Sequence, residues 1–369
     1  MAGSLFNIDG APSLRPRAKI QSVLSSPRLV ASMATCCRDK VENGLLPLFS
    51  HLASNGTLFD MQEVFSRFMF DLAATPLFGV DPGLLSFSLD MSMPPMDAVV
   101  AMDTVMEVGF IRHLIPASCW KAMRRLNIGS ERKLHTAHTV LRFAAKMIEE
   151  RSKITLNGRR CALSNDDEHE DILSSYINDP DYTDNDLLHA VLLSFMLAGR
   201  ETIGTTLPWV FYNLAQNPGI VSIIHSQLSP IALRKVPAST GAMVTFEPED
   251  TKPLVYLRAA LYETLRLYPS APIERKTVAA ADIMLSGHEV KAGDIILISL
   301  HSMGRMEDLW GSRIFPGKEI AVMQMKTVVA TVLWNIDVEV VEGQIIQPKP
   351  SCILQMKIGF VVKLRKREL

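Results

Sequence analysis

The sequence predicts a mainly α-helical protein with small β-sheets late in the chain. Its longest uninterrupted helical pattern runs from Thr183 to Pro218, with apolar residues at spacings of three and four. Apolar and polar residues alternate, as they do in strands, mainly after Ile283. The 369 residues are 48% hydrophobic, which is enough to bury the core of one large domain or of two ordinary ones.

Further helices are predicted where apolar periodicity is bounded by residues that begin and end helices. They span residues 26–54, 61–77, 94–113, 130–153, 253–267 and 318–334. A hairpin is predicted over 283–299, because Ser286 and Gly287 supply a turn between two alternating segments. Strands are predicted over 338–341 and 353–364, and loops over 165–171 and 230–250.

The composition excludes several classes of protein. The net charge is −1, so the chain lacks the basic surface that nucleic-acid binding requires. Its five cysteines are odd in number and have no CxxC or Cys/His spacing, so we expect neither a disulfide framework nor a metal site made of side chains. No run of about 18 apolar residues occurs and the first residues lack a signal-peptide pattern, so we expect no membrane anchor in this chain.

The central predicted helix changes character halfway along its buried face. The aliphatic spacing leads to Gly199, Thr202 and Thr206, where further aliphatic residues would be expected. Gly199 leaves room for a close approach, and the Thr202 hydroxyl can bond the backbone carbonyl four residues earlier. Two interpretations stay open. Either this is a crossing point for another helix with Glu201 and Thr202 at the surface, or it is a site at which Glu201 relays a proton.

A second polar pair lies on the helix predicted over 253–267. Glu263 and Arg266 are three residues apart, so they face the same side and can form a partly buried, bidentate ion pair. This spacing is common in proteins and identifies no function by itself.

Five motifs, in this order, resemble those of the cytochrome P450 family. They are AGRET at 198–202, ETLRLYP at 263–269, PIERK at 272–276, HSMGRMEDLWG at 301–311 and GKEIAVMQMK at 317–326. FNIDG at 6–10 and GRMEDLWG at 304–311 resemble the plant branch that hydroxylates long-chain fatty acids and alkanes. The resemblance implies one P450-like domain over residues 1–369, with the mainly helical fold of the family.

The resemblance also implies a cofactor and partners. Members of the family are haem-thiolate monooxygenases that receive electrons from an NADPH-dependent reductase at the cytosolic face of the endoplasmic reticulum membrane. We therefore expect haem as the cofactor, a long apolar substrate and membrane association. A cytoplasmic location is the alternative for a chain without an anchor.

The resemblance assigns roles to individual residues. Glu201 and Thr202 would be catalytic, because they would deliver protons for oxygen activation. Glu263 and Arg266 match the structural ion pair behind the haem, which an arginine of a later Pro-Glu-Arg segment normally completes. The residues that would contact haem are Arg17, Ala198, Gly199, Arg275, Arg313, Phe315 and Gly317.

The sequence departs from the family pattern before the last motif. There the family has a Pro-Glu-Arg meander and then a loop whose cysteine ligates the iron. Here residues 310–321 read WGSRIFPGKEIA, and alignment back from Lys318 puts Phe315 at the position of the cysteine. We therefore predict an incomplete P450-like domain, truncated at its amino end and internally deleted near Gly311, with impaired or absent catalysis. The alternative is a non-catalytic relative, or a protein that binds apolar ligands without haem.

Overall fold

The computed structural model of the protein describes residues 14–86, 93–139, 171–177, 179, 181, 185–235, 242–284, 286–306 and 318–367. Helices dominate these residues, which confirms the predicted mainly α fold. In chain order they are α1 (Leu14–Leu24), α2 (Pro27–Lys40), α3 (Leu46–Asn55), α4 (Met61–Phe78), α5 (Asp97–Leu114), α6 (Ala117–Leu126), α7 (129–139), α8 (Ile172–Ile177), α9 (Asn185–Gln216), α10 (Pro218–Lys235), α11 (Pro248–Thr251), α12 (Val255–Leu267), α13 (Leu300–Met303) and α14 (Lys318–Asn335). A π-helical turn, Val41–Leu45, joins α2 to α3.

The described strands form three small antiparallel sheets. The strands are β1 (Phe59–Asp60), β2 (Ile273–Thr277), β3 (Asp282–Ile283), β4 (Glu289–Val290), β5 (Ile295–Ser299), β6 (Ile336–Val340) and β7 (Val361–Lys366). Their orders are β1-β7-β6, β2-β5 and β3-β4. β1 and β2 precede Ile283, so the strands begin earlier in the chain than predicted.

The predicted hairpin over 283–299 is correct only in its first half. β3 pairs with β4 around Gly287, whose φ of 80° suits the predicted turn. β5, however, pairs with β2, with Ile273 opposite Ser299. Alternation in a sequence shows that a segment is a strand, but it does not select the partner strand.

The loop predicted from Pro230 onward begins too early. α10 continues through Pro230 to Lys235, although a proline inside a helix costs about 3 kcal/mol. Leu228, Ile231 and Ala232 lie buried on either side of the proline. Their packing offsets the lost hydrogen bond, which local sequence signals do not reveal.

Helix α9 is buried over most of its described length, as predicted, and packs along α4. Phe65 of α4 stacks on Phe211 of α9 with ring centroids 5.4 Å apart. The amino-terminal half of α9 belongs to one apolar cluster and its carboxyl-terminal half to another. The change between the two clusters falls at residues 198–202, where the sequence predicts a change in the buried face.

Trp209 fixes the carboxyl-terminal half of α9 to later parts of the chain. Its indole stacks on Tyr268 at 3.9 Å between centroids, and its Nε1 donates a hydrogen bond to the Leu354 carbonyl at 2.7 Å. Among the described residues, no helix combines the length and the apolar character that a membrane span needs.

Candidate functional site

One face of α9 is open at its midpoint. Ala198 is exposed and Thr202 is half-buried, although most neighbouring positions on the helix are buried. Thr202 Oγ1 donates a hydrogen bond to the Ala198 carbonyl at 2.8 Å, as the sequence predicts. Thr206 Oγ1 makes the same kind of bond to the Thr202 carbonyl at 2.7 Å. Successive hydroxyl groups therefore line this stretch of the helix.

Gly199 lies on a different side of α9, against α4. A Cβ at this position would lie 3.3 Å from the Ala73 Cβ, and one at Gly204 would lie 3.5 Å from the Met69 Cβ. These glycines allow the two helices to approach closely, so the crossing-point interpretation describes Gly199 correctly. Its predicted contact with a cofactor stays a prediction.

Glu201 is buried, not at the surface as one interpretation expected. It is 2% exposed and contacts the guanidinium of Arg200, which is also 2% exposed. Glu201 Oε2 has no hydrogen-bond partner among the described residues. A buried carboxylate oxygen without a partner is costly, so this side chain has the unusual environment expected at a functional site.

A buried polar network holds Arg200 in place, and sequence reasoning missed it. Arg200 Nη1 lies 2.9 Å from Asp103 Oδ1 of α5, and Nη2 donates to Ser66 Oγ of α4. Gln355 Nε2 donates to the same Asp103 oxygen at 2.9 Å. Two features of the sequence could have indicated this network. An arginine inside an apolar helix needs an acidic partner, and Asp103 is an acidic residue in the Met-rich helix predicted over 94–113.

The network shifts the ionisation of its members. Burial raises the pKa of the Glu201 carboxyl from 4.5 to about 7, although the charge of Arg200 opposes the rise; the negative charge of Asp103 adds to it. Burial alone would lower the pKa of Arg200, but the Glu201 and Asp103 carboxylates together raise it. Glu201 can therefore hold or release a proton near neutral pH.

We expect the free energy of unfolding to fall as pH rises from about 4.5 to about 7, by up to ~1.4 kcal/mol per pH unit from Glu201. In this window the folded chain keeps a proton on Glu201 that the unfolded chain has released, so rising pH favours unfolding. Urea unfolding at a series of pH values measures the slope. Glu201→Gln should remove this contribution, and an unchanged slope in that variant would assign the pH dependence to other groups.

The predicted ion pair forms, but it is less buried than expected. Arg266 Nε and Nη2 donate to the two Glu263 oxygens at 2.8 and 2.5 Å. The Arg266 side chain is 23% exposed and that of Glu263 is 51% exposed. Because water reaches Glu263, the pair contributes little to stability.

Arg266 also joins α12 to the turn after α13. Its Nη1 donates to the Gly304 carbonyl. A Cβ on Gly304 would lie 2.1 Å from the Arg266 carbonyl oxygen, a distance that no side chain can tolerate. Only glycine fits at this contact between two segments of the backbone.

We expect Gly304→Ala to lower the free energy of unfolding by about 1–3 kcal/mol, because the backbone must move to admit the methyl group. Gly219→Ala on α10 is the matched control, since nothing lies within 4 Å of a Cβ there. Urea denaturation of both variants measures the difference. Equal free energies of unfolding in the two variants would show that the backbone at Gly304 can move away from Arg266 without loss of stability.

Only some of the residues predicted to contact the cofactor lie within the described part of the chain. Arg17 lies on α1 and Arg275 on β2, both exposed, and Arg275 borders an open cavity beside α5. Arg313, Phe315 and Gly317 lie outside the described residues. Their predicted roles stay predictions.

Burial favours the thiol form of three of the described cysteines. Burial raises the pKa of Cys36 and of Cys352 to about 11 each, and it also raises the pKa of Cys37. These three side chains stay thiols at neutral pH, whereas a metal ligand must be a thiolate. Cys119 is exposed on α6, and Cys161 lies outside the described residues.

The residues present fit a thiolate-ligated haem on one side only. The open face at Ala198 and Thr202 and the unpartnered oxygen of Glu201 offer space and polar groups on α9. On the other side, the aligned ligand position holds Phe315, which has no lone pair. Residues 307–317 lie outside the described part of the chain, so the missing ligand stays a prediction and no reaction step through haem follows.

Comparison with known proteins gives consistent matches. The family model described as Cytochrome P450 matches residues 37–312. Noroxomaritidine synthase 2 of Narcissus aff. pseudonarcissus MK-2014 is 31% identical over 99% of this chain and 76% of its own length. Alkane hydroxylase MAH1 of Arabidopsis thaliana is 30% identical over 89% and 70%, and Cytochrome P450 86B1 of the same plant is 28% identical over 100% and 72%. The first alignment has 401 positions against 369 residues here, so at least 32 of its positions have no residue of this chain.

Proposed function

This chain belongs to the cytochrome P450 monooxygenase family, as a plant member. We propose that the enzyme from which it derives hydroxylates long-chain fatty acids or alkanes. The observation that carries the proposal is the midpoint of α9. There an open face at Ala198 and Thr202 lies next to the buried carboxyl of Glu201, whose pKa burial raises to about 7. In this proposal Glu201 and Thr202 handle protons, and the partner is an NADPH-dependent reductase at the endoplasmic reticulum membrane.

The relatives support an apolar substrate without selecting one. One is named an alkane hydroxylase at 30% identity, and another a noroxomaritidine synthase at 31%. A substrate unlike an alkyl chain is therefore the second candidate. Val105 of α5 borders an open cavity, and its apolar side chain favours the alkyl chain because a long apolar molecule needs an apolar wall.

We propose that this chain, with its present sequence, does not carry out the hydroxylation. Two observations support this: Phe315 stands at the aligned ligand position, and the alignment with a relative has positions that this chain lacks. Loss of the meander would also remove the arginine that the resemblance places beside Glu263 and Arg266. The chain would then be a non-catalytic relative that retains the helical core and binds apolar ligands.

The substrate class can be tested in the Phe315→Cys variant, loaded with haem and supplied with a plant P450 reductase and NADPH. Hydroxylation of long-chain acids or alkanes is the expected result. Thr202→Ala in that background should increase oxygen consumed per product formed, while Thr206→Ala, whose hydroxyl only bonds the Thr202 carbonyl, should not. Turnover of small polar compounds alone would overturn the proposal.

A further inference from the structure

The buried pair of Arg200 and Glu201 is bonded through only one carboxylate oxygen. Arg200 Nη1 donates to Glu201 Oε1, and Oε2 has no partner among the described residues. Glu131 is also buried, but both of its oxygens are bonded, at 2.7 and 2.6 Å, by Nε and Nη2 of Arg112. A guanidinium normally binds a carboxylate in this second way. The difference at Glu201 therefore has a cause outside the pair.

The cause lies in the other groups that hold Arg200. Its Nη1 also lies 2.9 Å from Asp103 Oδ1 of α5, and its Nη2 donates to Ser66 Oγ of α4. Both terminal nitrogens are therefore engaged by neighbouring helices. While these two contacts last, the guanidinium cannot turn to bind both oxygens of Glu201.

Asp103 is itself held against Arg200 by the end of the chain. Gln355 Nε2 donates to the same Oδ1 oxygen of Asp103 at 2.9 Å. One turn further along α5, Glu107 pairs with Lys349 at 3.0 Å. These two contacts fix the stretch of α5 that carries Asp103, so its carboxylate keeps its position on the guanidinium.

The charges that act on Glu201 come from the same network. Burial raises the pKa of its carboxyl, the positive charge of Arg200 lowers it, and the negative charge of Asp103 raises it further. Ser66 and Gln355, which face the network from α4 and from the end of the chain, are uncharged. A proton on Glu201 must lie on Oε2, because Oε1 already accepts a hydrogen bond from Arg200.

We propose that Asp103 is a positioning residue for Glu201: by holding Arg200 it keeps the guanidinium on Oε1 and leaves Oε2 free to take up and release a proton. Without Asp103, Arg200 would turn onto both oxygens of Glu201, and the carboxyl would bind a proton less tightly. This inference rests on the proposed function and deepens it, because it names a residue that acts on the predicted proton donor through Arg200.

The test is the protonation of Glu201 in the full chain without added haem, followed by infrared difference spectroscopy from about pH 5 to about pH 9. The carboxyl band of Glu201 is identified by its absence in Glu201→Gln. Its midpoint, about 7 in the unchanged chain, should fall by about one pH unit in Asp103→Ala, a tenfold loss of proton affinity. Asp103→Glu restores the acid and should recover most of this shift. Ser66→Ala, which frees Nη2, should shift the midpoint in the same direction.

Glu107→Ala is the matched control, because Glu107 is an acid on the same helix that pairs with Lys349. It should leave the midpoint unchanged. Circular dichroism shows whether each variant is folded, and if Asp103→Ala is not, the midpoint of Ser66→Ala decides. An unchanged midpoint in the deciding variant, or equal shifts in that variant and in Glu107→Ala, would overturn the positioning role and leave the proposed function standing.

The proposed function fails separately. If the midpoints shift as expected but the haem-loaded Phe315→Cys variant hydroxylates small polar compounds alone, the substrate class is wrong and the role of Asp103 stands.

Discussion

Prepared with an excess of haem, the full chain is expected to show no thiolate-type band in its ferrous carbonyl spectrum. The band requires a cysteine thiolate on the iron, and Phe315 stands at the aligned ligand position. Pro316 beside it also lacks the backbone N–H that could stabilise a ligand sulfur. Burial favours the thiol form of Cys36, Cys37 and Cys352, and we expect none of them to replace the missing ligand.

Difference spectra of the reduced protein under carbon monoxide measure this directly. Phe315→Cys should produce the band if the alignment from Lys318 is correct. Phe315→Ser, which opens the same space without supplying sulfur, is the matched control and should not. A thiolate band in the unmodified chain would contradict the prediction, and its loss in Cys119→Ser or Cys352→Ser would identify the replacement ligand.

Arg200→Gln is expected to lower the free energy of unfolding by about 3–5 kcal/mol at pH values above about 7, where Glu201 is ionised in the folded chain. The substitution would leave Glu201 buried without its cation and remove the cationic partner of Asp103. The loss should shrink at acidic pH, because Glu201 then takes up a proton and no longer buries a charge. Urea denaturation at two pH values measures both effects.

Two further variants separate the buried pair from a general effect of removing an arginine. Arg200→Gln combined with Glu201→Gln should recover much of the lost stability, since no unpaired charge remains at Glu201. Arg132→Gln, at an exposed position on α7, should have little effect. A loss below about 1 kcal/mol in Arg200→Gln, the range of exposed ion pairs, would refute the buried-pair argument.

Local features of the site could be predicted from the sequence, whereas its long-range partners could not. The helix over 183–217, the bond from Thr202 to Ala198 and the bidentate pair of Glu263 and Arg266 depend on residues at most four positions apart or on one periodic pattern. The burial of Glu201 depends on partners from other helices, which periodicity within one helix does not specify.

The same limit explains the errors in the fold. The path of α10 through Pro230 and the pairing of β5 with β2 depend on packing between distant segments. Such contacts override local signals, because the core supplies more stabilisation than a single proline or turn removes. Asp103 lies 97 residues before Arg200, so no spacing rule could have joined them.

Gln355, which donates to Asp103 across 252 residues, has a consequence for the order in which the protein assembles on the ribosome. Helices α4, α5 and α9 have all been synthesised well before Gln355, so Arg200, Glu201 and Asp103 can meet before Gln355 leaves the exit tunnel. The last hydrogen bond of their network forms only after Gln355 itself has left the tunnel. During synthesis there is therefore an interval in which the buried charges are paired but Asp103 still lacks its hydrogen bond from Gln355. Chaperones can act during that interval.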